Sequence, residues 1–506
     1  MALVAPASVR AAERTTGFHW NDITAADGVT LKANVIEPAA PGTHPGIVLA
    51  ASWALNDLEY LAQAKRFAEA GYVVLSYTAR GFWFSGGTID VAGPADVADA
   101  SRAVDWLIAH TRVDPQRIGF AGLSYGGGIS LLAAAHDPRI RAVGSLSGWS
   151  DMAASMAGGN TRRSQGPWFL QTTARLLGRP SPEMTRILDD YWADRNAEAR
   201  EQWARARSPR YAIDAINRNH PAVLIAHNFG DSVFPANQML DFYTALDTPK
   251  RLELAPGDHA TVELPGLAGI PNHVWTSLRR WFDQYLAGID TGIGEEPGVV
   301  LRPHNSPAVE YYRDWAHVTG HTRRATLGAP SGLLPTGALG AASPATTWTW
   351  PVRAGADTVA DGGIALVSNG LEGLTGIPPM VWLPAVSRRD AGVWVSGAAP
   401  AGGWRVRGVP HLHAPVTSSS PAGTVIAYLY DLDASGVGKL FSHAPVTWPS
   451  SPTTVDLPLQ VTAYDVPAGH RLALVADTKD PLYLDANAGN SAITFGSGSW
   501  LDVPLA

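Results

Sequence analysis

No cysteine occurs anywhere in the 506 residues. Disulfide scaffolds, thiolate zinc sites, iron–sulfur clusters and cysteine nucleophiles are thereby excluded. The absence fixes no compartment, because a cysteine-free chain works in oxidising and reducing surroundings alike. Charge is also sparse. Only 16% of residues are Asp, Glu, Lys or Arg, and 38 basic against 45 acidic residues give a net charge of -7, with no long run of either sign. A nucleic-acid binder carries a basic stripe, so no nucleic-acid partner is expected. No uninterrupted apolar run reaches the roughly 18 residues of a transmembrane helix, so no membrane partner is expected. The N-terminal stretch MALVAPASVRAAERTTG is Ala-rich but lacks the charged start and apolar core of a signal peptide.

What is present is apolar material and punctuation. Hydrophobic residues make up 46%, enough for large buried cores, and the length suggests roughly two to four domains. The 51 Gly and 38 Pro predict many tight turns and argue against a long-helix protein.

Residues 1–148 and 221–292 alternate strand-like and helix-like segments. Ile47–Ala51, Tyr72–Tyr77, Arg117–Gly122, Ala142–Leu146, Pro221–Ala226 and Lys250–Ala255 read as strands. Asp57–Ala70, Ala95–His110 and His273–Ala287 read as helices. That alternation predicts a parallel sheet covered on both faces. Residues 149–220 break it, with helical patterns at 167–177 and 182–207 and no convincing strand, and are read as a helical cap. From 293 to 506 the text changes to short β-rich runs, such as 299–302, 347–350, 392–395, 425–430 and 471–475, separated by Gly, Pro, Ser and Asp. No helix of normal length is apparent there, which predicts a β-sandwich or jelly roll.

The strongest chemical signal is Gly122-Leu123-Ser124-Tyr125-Gly126. The G-x-S-x-G pattern alone is weak. Here an apolar strand leads in and a small-residue helix leads out, which is the context of the nucleophile elbow of an α/β-hydrolase. The turn holds Ser124 in a strained conformation, and the flanking glycines let strand and helix approach. A hydroxyl needs a base, expected later in the order Ser, acid, His. Asp231 follows the strand 221–226, and His259 follows the strand 250–255, each in a loop at a strand's C-terminal end. Asp231 would fix the His259 tautomer and stabilise the imidazolium. Asp258 and His227 are the competitors. A sequence neighbour rarely points at the same ring, and His227 reads as structural.

These motifs make the chain similar to the X-Pro dipeptidyl-peptidase/cocaine-esterase family of serine hydrolases. The resemblance is carried by Asp27–Leu31 with Pro45–Leu49, by Arg80–Gly87, by Asp105–Leu107 with Gly119–Gly127, and by Tyr428–Asp433 with Pro467–Leu472. It covers nearly the whole length. It implies an α/β-hydrolase domain with a helical cap, a C-terminal jelly roll, an acyl-enzyme mechanism on a Ser–His–Asp triad, and no metal or organic cofactor. Two departures stand out. Where the family commonly places an oxyanion-hole tyrosine, this chain has Trp53, whose indole N–H or main chain is expected to act beside the Tyr125 N–H. The family's acidic residue two positions before the Arg-Gly pair is Thr78 here.

The expected partner is a small ester or amide, or a peptide. A carboxylesterase or acylase leads, with an X-Pro dipeptidyl-peptidase and an acyltransferase as alternatives. Trp149, Trp83 and Trp168, with Phe84 and Phe169, are candidates for an apolar acyl pocket, Trp149 foremost. A dipeptidyl-peptidase would need carboxylates for the substrate amine, and the cap offers Glu183, Asp189, Asp190 and Asp194. A non-enzymatic alternative makes the β domain a carbohydrate-binding module on an inactive scaffold. His411 and His413 share a strand face without a third ligand, so no metal site is expected. Asp431–Gly436 lacks the distal Glu of a calcium loop and reads as a hairpin. The residues leave the oligomeric state open.

Overall fold

Fully buried apolar runs dictate the first sheet. Strands β3 (His44–Ala50), β4 (Val73–Tyr77) and β7 (Ala222–Asn228) are buried at every position, the pattern of parallel strands covered on both faces. The computed structural model describes residues 16–340, 347–450 and 454–506. The N-terminal Ala-rich segment lies outside them up to residue 15. The other strands of this sheet are β1 (Thr16–Thr24), β2 (Thr30–Pro38), β5 (Val113–Leu123), β6 (Ile140–Leu146), β8 (Lys250–Ala255), β9 (Val299–Leu301) and β10 (Glu310–Tyr312). Their order is β1-β2-β4-β3-β5-β6-β7-β8-β9-β10, parallel from β4 to β9 and antiparallel at both edges. Ser124, Asp231 and His259 follow the C-terminal ends of β5, β7 and β8, at one edge of the sheet.

The structure corrects one sequence reading and refines two. Val299–Leu301 does not open the C-terminal β structure. It is buried on both faces and pairs in parallel with Leu252–Leu254, so the first sheet extends to Tyr312. The pattern at 182–207 is two helices, Pro182–Trp192 and Ala197–Arg205, broken where Asp194 and Asn196 adopt left-handed backbone. The β-rich half also contains a helix, Ser368–Thr375, closed by Gly376 at φ 72°.

Residues 149–220 contribute no strand to the sheet. They form Met152–Ala157, Gln165–Leu177, the two helices just named, and Ile213–Asn219. Main-chain hydrogen bonds join this layer to its surroundings on two sides. On one side Trp83 N–H donates to Leu177 O (3.0 Å), Arg179 N–H to Gly81 O (2.8 Å) and Ile89 N–H to Arg179 O (2.9 Å). On the other, Ser164 N–H donates to Leu482 O (2.9 Å) and Leu484 N–H to Arg162 O (2.8 Å).

The C-terminal strands are antiparallel, except that Gly337–Gly340 runs parallel to Gly392–Ala398. At the centre, Gly423–Leu432 pairs with Val437–Trp448 and with Arg471–Asp477. Alternation along the first of these sorts the core. Ala427 and Leu429 join one apolar cluster with Trp394 and Leu474, whereas Ile426, Tyr428 and Tyr430 join another with Val393 and Val475. Asp433 accepts from Ser435 and Val437 N–H groups in the hairpin between the two long strands.

Candidate active site

The elbow is built by close approach. Ser124 has φ 57° and ψ −112° between β5 and the helix Tyr125–His136. A Cβ on Gly122 would lie 2.5 Å from the Gly126 carbonyl carbon, and one on Gly126 would lie 2.1 Å from Ala50 O. No side chain larger than hydrogen fits either place. The Tyr60 hydroxyl also supports the turn, donating to Ala50 O (3.0 Å) and accepting from Leu123 N–H (2.9 Å).

Ser124 Oγ lies 2.7 Å from His259 Nε2, and His259 Nδ1 lies 2.9 Å from Asp231 Oδ2. The other Asp231 oxygen accepts from the N–H groups of Val233 (2.9 Å) and Phe234 (2.6 Å), which fixes the carboxylate plane. The Phe234 ring packs edge-on against the imidazole at 5.1 Å. Asp231 is fully buried and Ser124 is 8% exposed. Burial acts to raise the Asp231 carboxyl, but the charge and hydrogen bond of His259 prevail and hold it below the usual range. Burial acts to lower His259, and the Asp231 charge and hydrogen bond overcome it, so the imidazole lies above its ordinary 6.5. This arrangement keeps a basic nitrogen on the serine hydroxyl.

Both competitors take other roles. Asp258 points away from the imidazole; its Oδ1 accepts from Ser232 N–H, Ser232 Oγ and His259 N–H, each at 2.7 Å. His227 Nε2 lies 3.1 Å from Gly148 O, and its Nδ1 accepts from Asn228 N–H (2.9 Å). Burial holds its ring below the ordinary value.

On the oxyanion side, the Tyr125 N–H stands at the start of its helix, where the dipole favours negative charge. Trp53 does not offer its indole. Nε1 donates to Leu170 O (3.0 Å) and Thr173 Oγ1 (3.2 Å) of the cap, so only the main-chain alternative remains for this residue. Among the described hydrogen bonds, neither the Trp53 nor the Tyr125 main-chain N–H has an acceptor. The preceding Ser52 is clamped by Glu59, which accepts its N–H (2.7 Å) and its hydroxyl (2.6 Å). Loss of hydration lifts the Glu59 carboxyl to about 7 against those donors.

The aromatic candidates separate. Trp149 is fully buried, donates to Arg207 O (2.8 Å) and packs on Phe234 at 5.0 Å, so it supports the site from behind and does not line a pocket. Its position directly after a strand gave no sign of that depth. Trp83 is 38% exposed and donates to Ala54 O (2.8 Å). Trp168, on the cap helix Gln165–Leu177, is 61% exposed. Thr78 occupies its departure from the family pattern by pairing with Asp57, donating to Oδ1 at 2.8 Å, while Arg80 binds Asp99 through two 2.7 Å contacts.

Sequence reasoning missed Glu59, Tyr60, Ser147 and Glu263. Ser147 Oγ donates to Glu263 Oε1 (2.9 Å) and lies 3.3 Å from Ala260 N–H, beneath the His259 loop. Ser147 and Glu263 lie 116 positions apart and Tyr60 meets Leu123 from 63 positions away, while Glu59 reaches Ser52 over 7 positions of irregular loop, so no regular spacing marks them. His411 and His413 share one carboxylate: Asp456 Oδ1 lies 2.9 Å from His411 Nε2 and 3.7 Å from His413 Nδ1, and His413 stacks on Trp500. Among the described residues no group of His, Asp or Glu is placed to hold a metal ion, and no helix is long and apolar enough to cross a membrane.

An α/β-hydrolase sheet carrying a serine elbow, cap and β domain defines a serine hydrolase. The X-Pro dipeptidyl-peptidase (S15 family) model matches residues 27–261, and the X-Pro dipeptidyl-peptidase C-terminal non-catalytic domain matches residues 291–499. The chain belongs to this X-Pro dipeptidyl-peptidase/cocaine-esterase family. An α-amino acid ester hydrolase structure superposes with a TM-score of 0.76 at 16% identity, covering 100% of this chain and 98% of the other. A CocE/NonD family hydrolase from Staphylococcus aureus gives 0.74 at 12% identity, covering 97% and 94%. At these identities the likeness concerns the fold. An uncharacterized 31.7 kDa protein of Escherichia coli is 29% identical over 173 residues, which is 32% of this chain and 59% of that protein.

Proposed function

We propose that this protein hydrolyses ester or amide bonds through Ser124, His259 and Asp231, and that carboxylic esters or acyl amides are its preferred substrates. The observation that carries the reading is the continuous chain from Ser124 Oγ to His259 Nε2 (2.7 Å) and from His259 Nδ1 to Asp231 Oδ2 (2.9 Å). Ser124 Oγ attacks the carbonyl carbon while His259 takes its proton. The oxyanion meets the N–H groups of Tyr125 and Trp53. Collapse of the tetrahedral intermediate expels the leaving group, which takes the proton from His259. Water, deprotonated by His259, then releases the acid and regenerates the serine.

The cap carboxylates favour esters over peptides with a free amino terminus. Glu183 pairs with Arg207 (3.0 Å), Asp194 with Arg200 (3.0 Å), and Asp190 accepts from Asn196 (2.9 Å). Asp189 lines a surface depression beside Arg186 and Arg195. A substrate ammonium would compete with Arg207 for Glu183, with Arg200 for Asp194 and with Asn196 for Asp190.

A fluorophosphonate probe should label the wild-type protein and not Ser124→Ala. Absence of labelling on the wild type would remove the hydrolase reading and favour a binding module. Hydrolysis of p-nitrophenyl esters should exceed that of Xaa-Pro-nitroanilides. Turnover of the peptide alone would establish the proline-directed peptidase instead.

A further inference from the structure

The two loops that carry Asp231 and His259 are joined to each other, and to the β domain, through one buried carboxylate. Asp258 has no exposed surface. Its Oδ1 gathers Ser232 N–H, Ser232 Oγ and His259 N–H, so it bridges the residue after the acid to the main chain of the base. Its Oδ2 accepts from Leu366 N–H at 3.0 Å, and Leu366 N–H also meets Ser232 Oγ at 3.0 Å. Leu366 belongs to the β domain and has φ 67°, a left-handed conformation that a leucine adopts only when its surroundings hold it there.

The segment after Leu366 continues the contact. Asn369 Nδ2 donates to Gly230 O at 2.9 Å, one residue before Asp231. A Cβ on Gly230 would lie 2.6 Å from Asn369 Cγ, and one on Gly373 would lie 2.9 Å from Gly257 Cα, two residues before His259. Glu372 pairs with His304 at 2.7 Å, and the His304 ring stacks on Phe229 at 5.0 Å. The helix Ser368–Thr375 therefore presses on the acid loop and the base loop together.

We propose that Asp258 is a positioning residue which, with residues 366–373 of the β domain, sets the Asp231–His259 geometry. The inference rests on the triad reading above. It gives the β domain a part in turnover without any contact to substrate. The carboxylate is the group this junction requires, because every polar neighbour named here is a donor. An asparagine would turn its NH₂ toward either Leu366 N–H or the three donors on the loop side, so at least one link must break.

The test uses the full chain with Asp258→Asn and, as an independent lesion on the β-domain side, Asn369→Ala. Both are assayed with a p-nitrophenyl ester and a fluorophosphonate probe, at a temperature where circular dichroism matches wild type. For each variant, kcat and the labelling rate should fall about tenfold to a hundredfold, with KM held within about twofold. If Asp258→Asn does not fold, Asn369→Ala decides alone. Wild-type labelling rates in a folded variant, or a rise in KM at unchanged kcat, would overturn the proposal. An unlabelled wild type would defeat the triad reading itself, and this inference with it.

Discussion

The Trp149 indole fills the space beside Gly128, where a Cβ would stand 2.4 Å from a ring carbon. The ring serves as the side chain that the nucleophile-bearing helix lacks at that position. Its removal leaves a cavity and strips Arg207 O of its donor. Trp149→Ala should destabilise the protein by about 3–5 kcal/mol, read as a lower denaturant midpoint. Gly128→Ala should also destabilise, and the double variant should lose less than the sum, because the new methyl enters the vacated volume. A variant that keeps its stability but loses affinity for large acyl groups would restore Trp149 to the pocket.

Trp53→Phe separates main chain from indole at the oxyanion site. The substitution removes the bonds to Leu170 O and Thr173 Oγ1 and leaves the backbone N–H in place. Deleting a direct oxyanion donor costs about 10²–10³ in kcat. The expected loss is below about tenfold, and a loss on the direct-donor scale would reassign the indole.

The pH profile should report His259. The imidazole must be neutral to accept the serine proton, and it is held above its ordinary 6.5 against the lowering effect of burial. Activity is therefore lost as pH falls through that raised value, and the acid limb of kcat/KM should have a midpoint above 6.5. In Asp231→Asn the carboxylate charge is gone and burial acts with less opposition, so the midpoint should move to lower pH. The same variant should lose about 10⁴ in kcat, because the tautomer is no longer fixed.

Glu59 should matter without touching substrate. Glutamine in its place cannot accept both the N–H and the hydroxyl of Ser52 as the carboxylate does. With its carboxyl lifted to about 7, Glu59 is only partly ionised near neutral pH, and an ordinary hydrogen bond contributes about 0.5–1.5 kcal/mol, so Glu59→Gln should lower kcat by about twofold to tenfold by loosening the loop that carries Trp53. Unchanged kcat would show that Ser52 is held by its bond to Leu123 O alone.

Much of the first domain was legible because its signals are local. Apolar runs too short for helices marked the strands, and the glycines at 122 and 126 sit where the chain approaches itself at sub-van der Waals range for any Cβ. The placement of Asp231 and His259 in loops after strands was readable in the same way. What escaped depends on distant partners. Val299–Leu301 carries no mark of which sheet it will join. Trp149 reads alike as pocket lining or as core until the helix behind it is placed. Helix Ser368–Thr375 is short, and its role comes from contact with loops more than 100 positions away, as in the 139-residue separation of Asn369 from Gly230.

The main-chain bonds that fasten the cap at Gly81–Ile89 on one margin and at Leu482–Leu484 on the other limit how this enzyme admits its substrate. A layer anchored along two borders cannot swing open as a door without surrendering backbone hydrogen bonds at one of them.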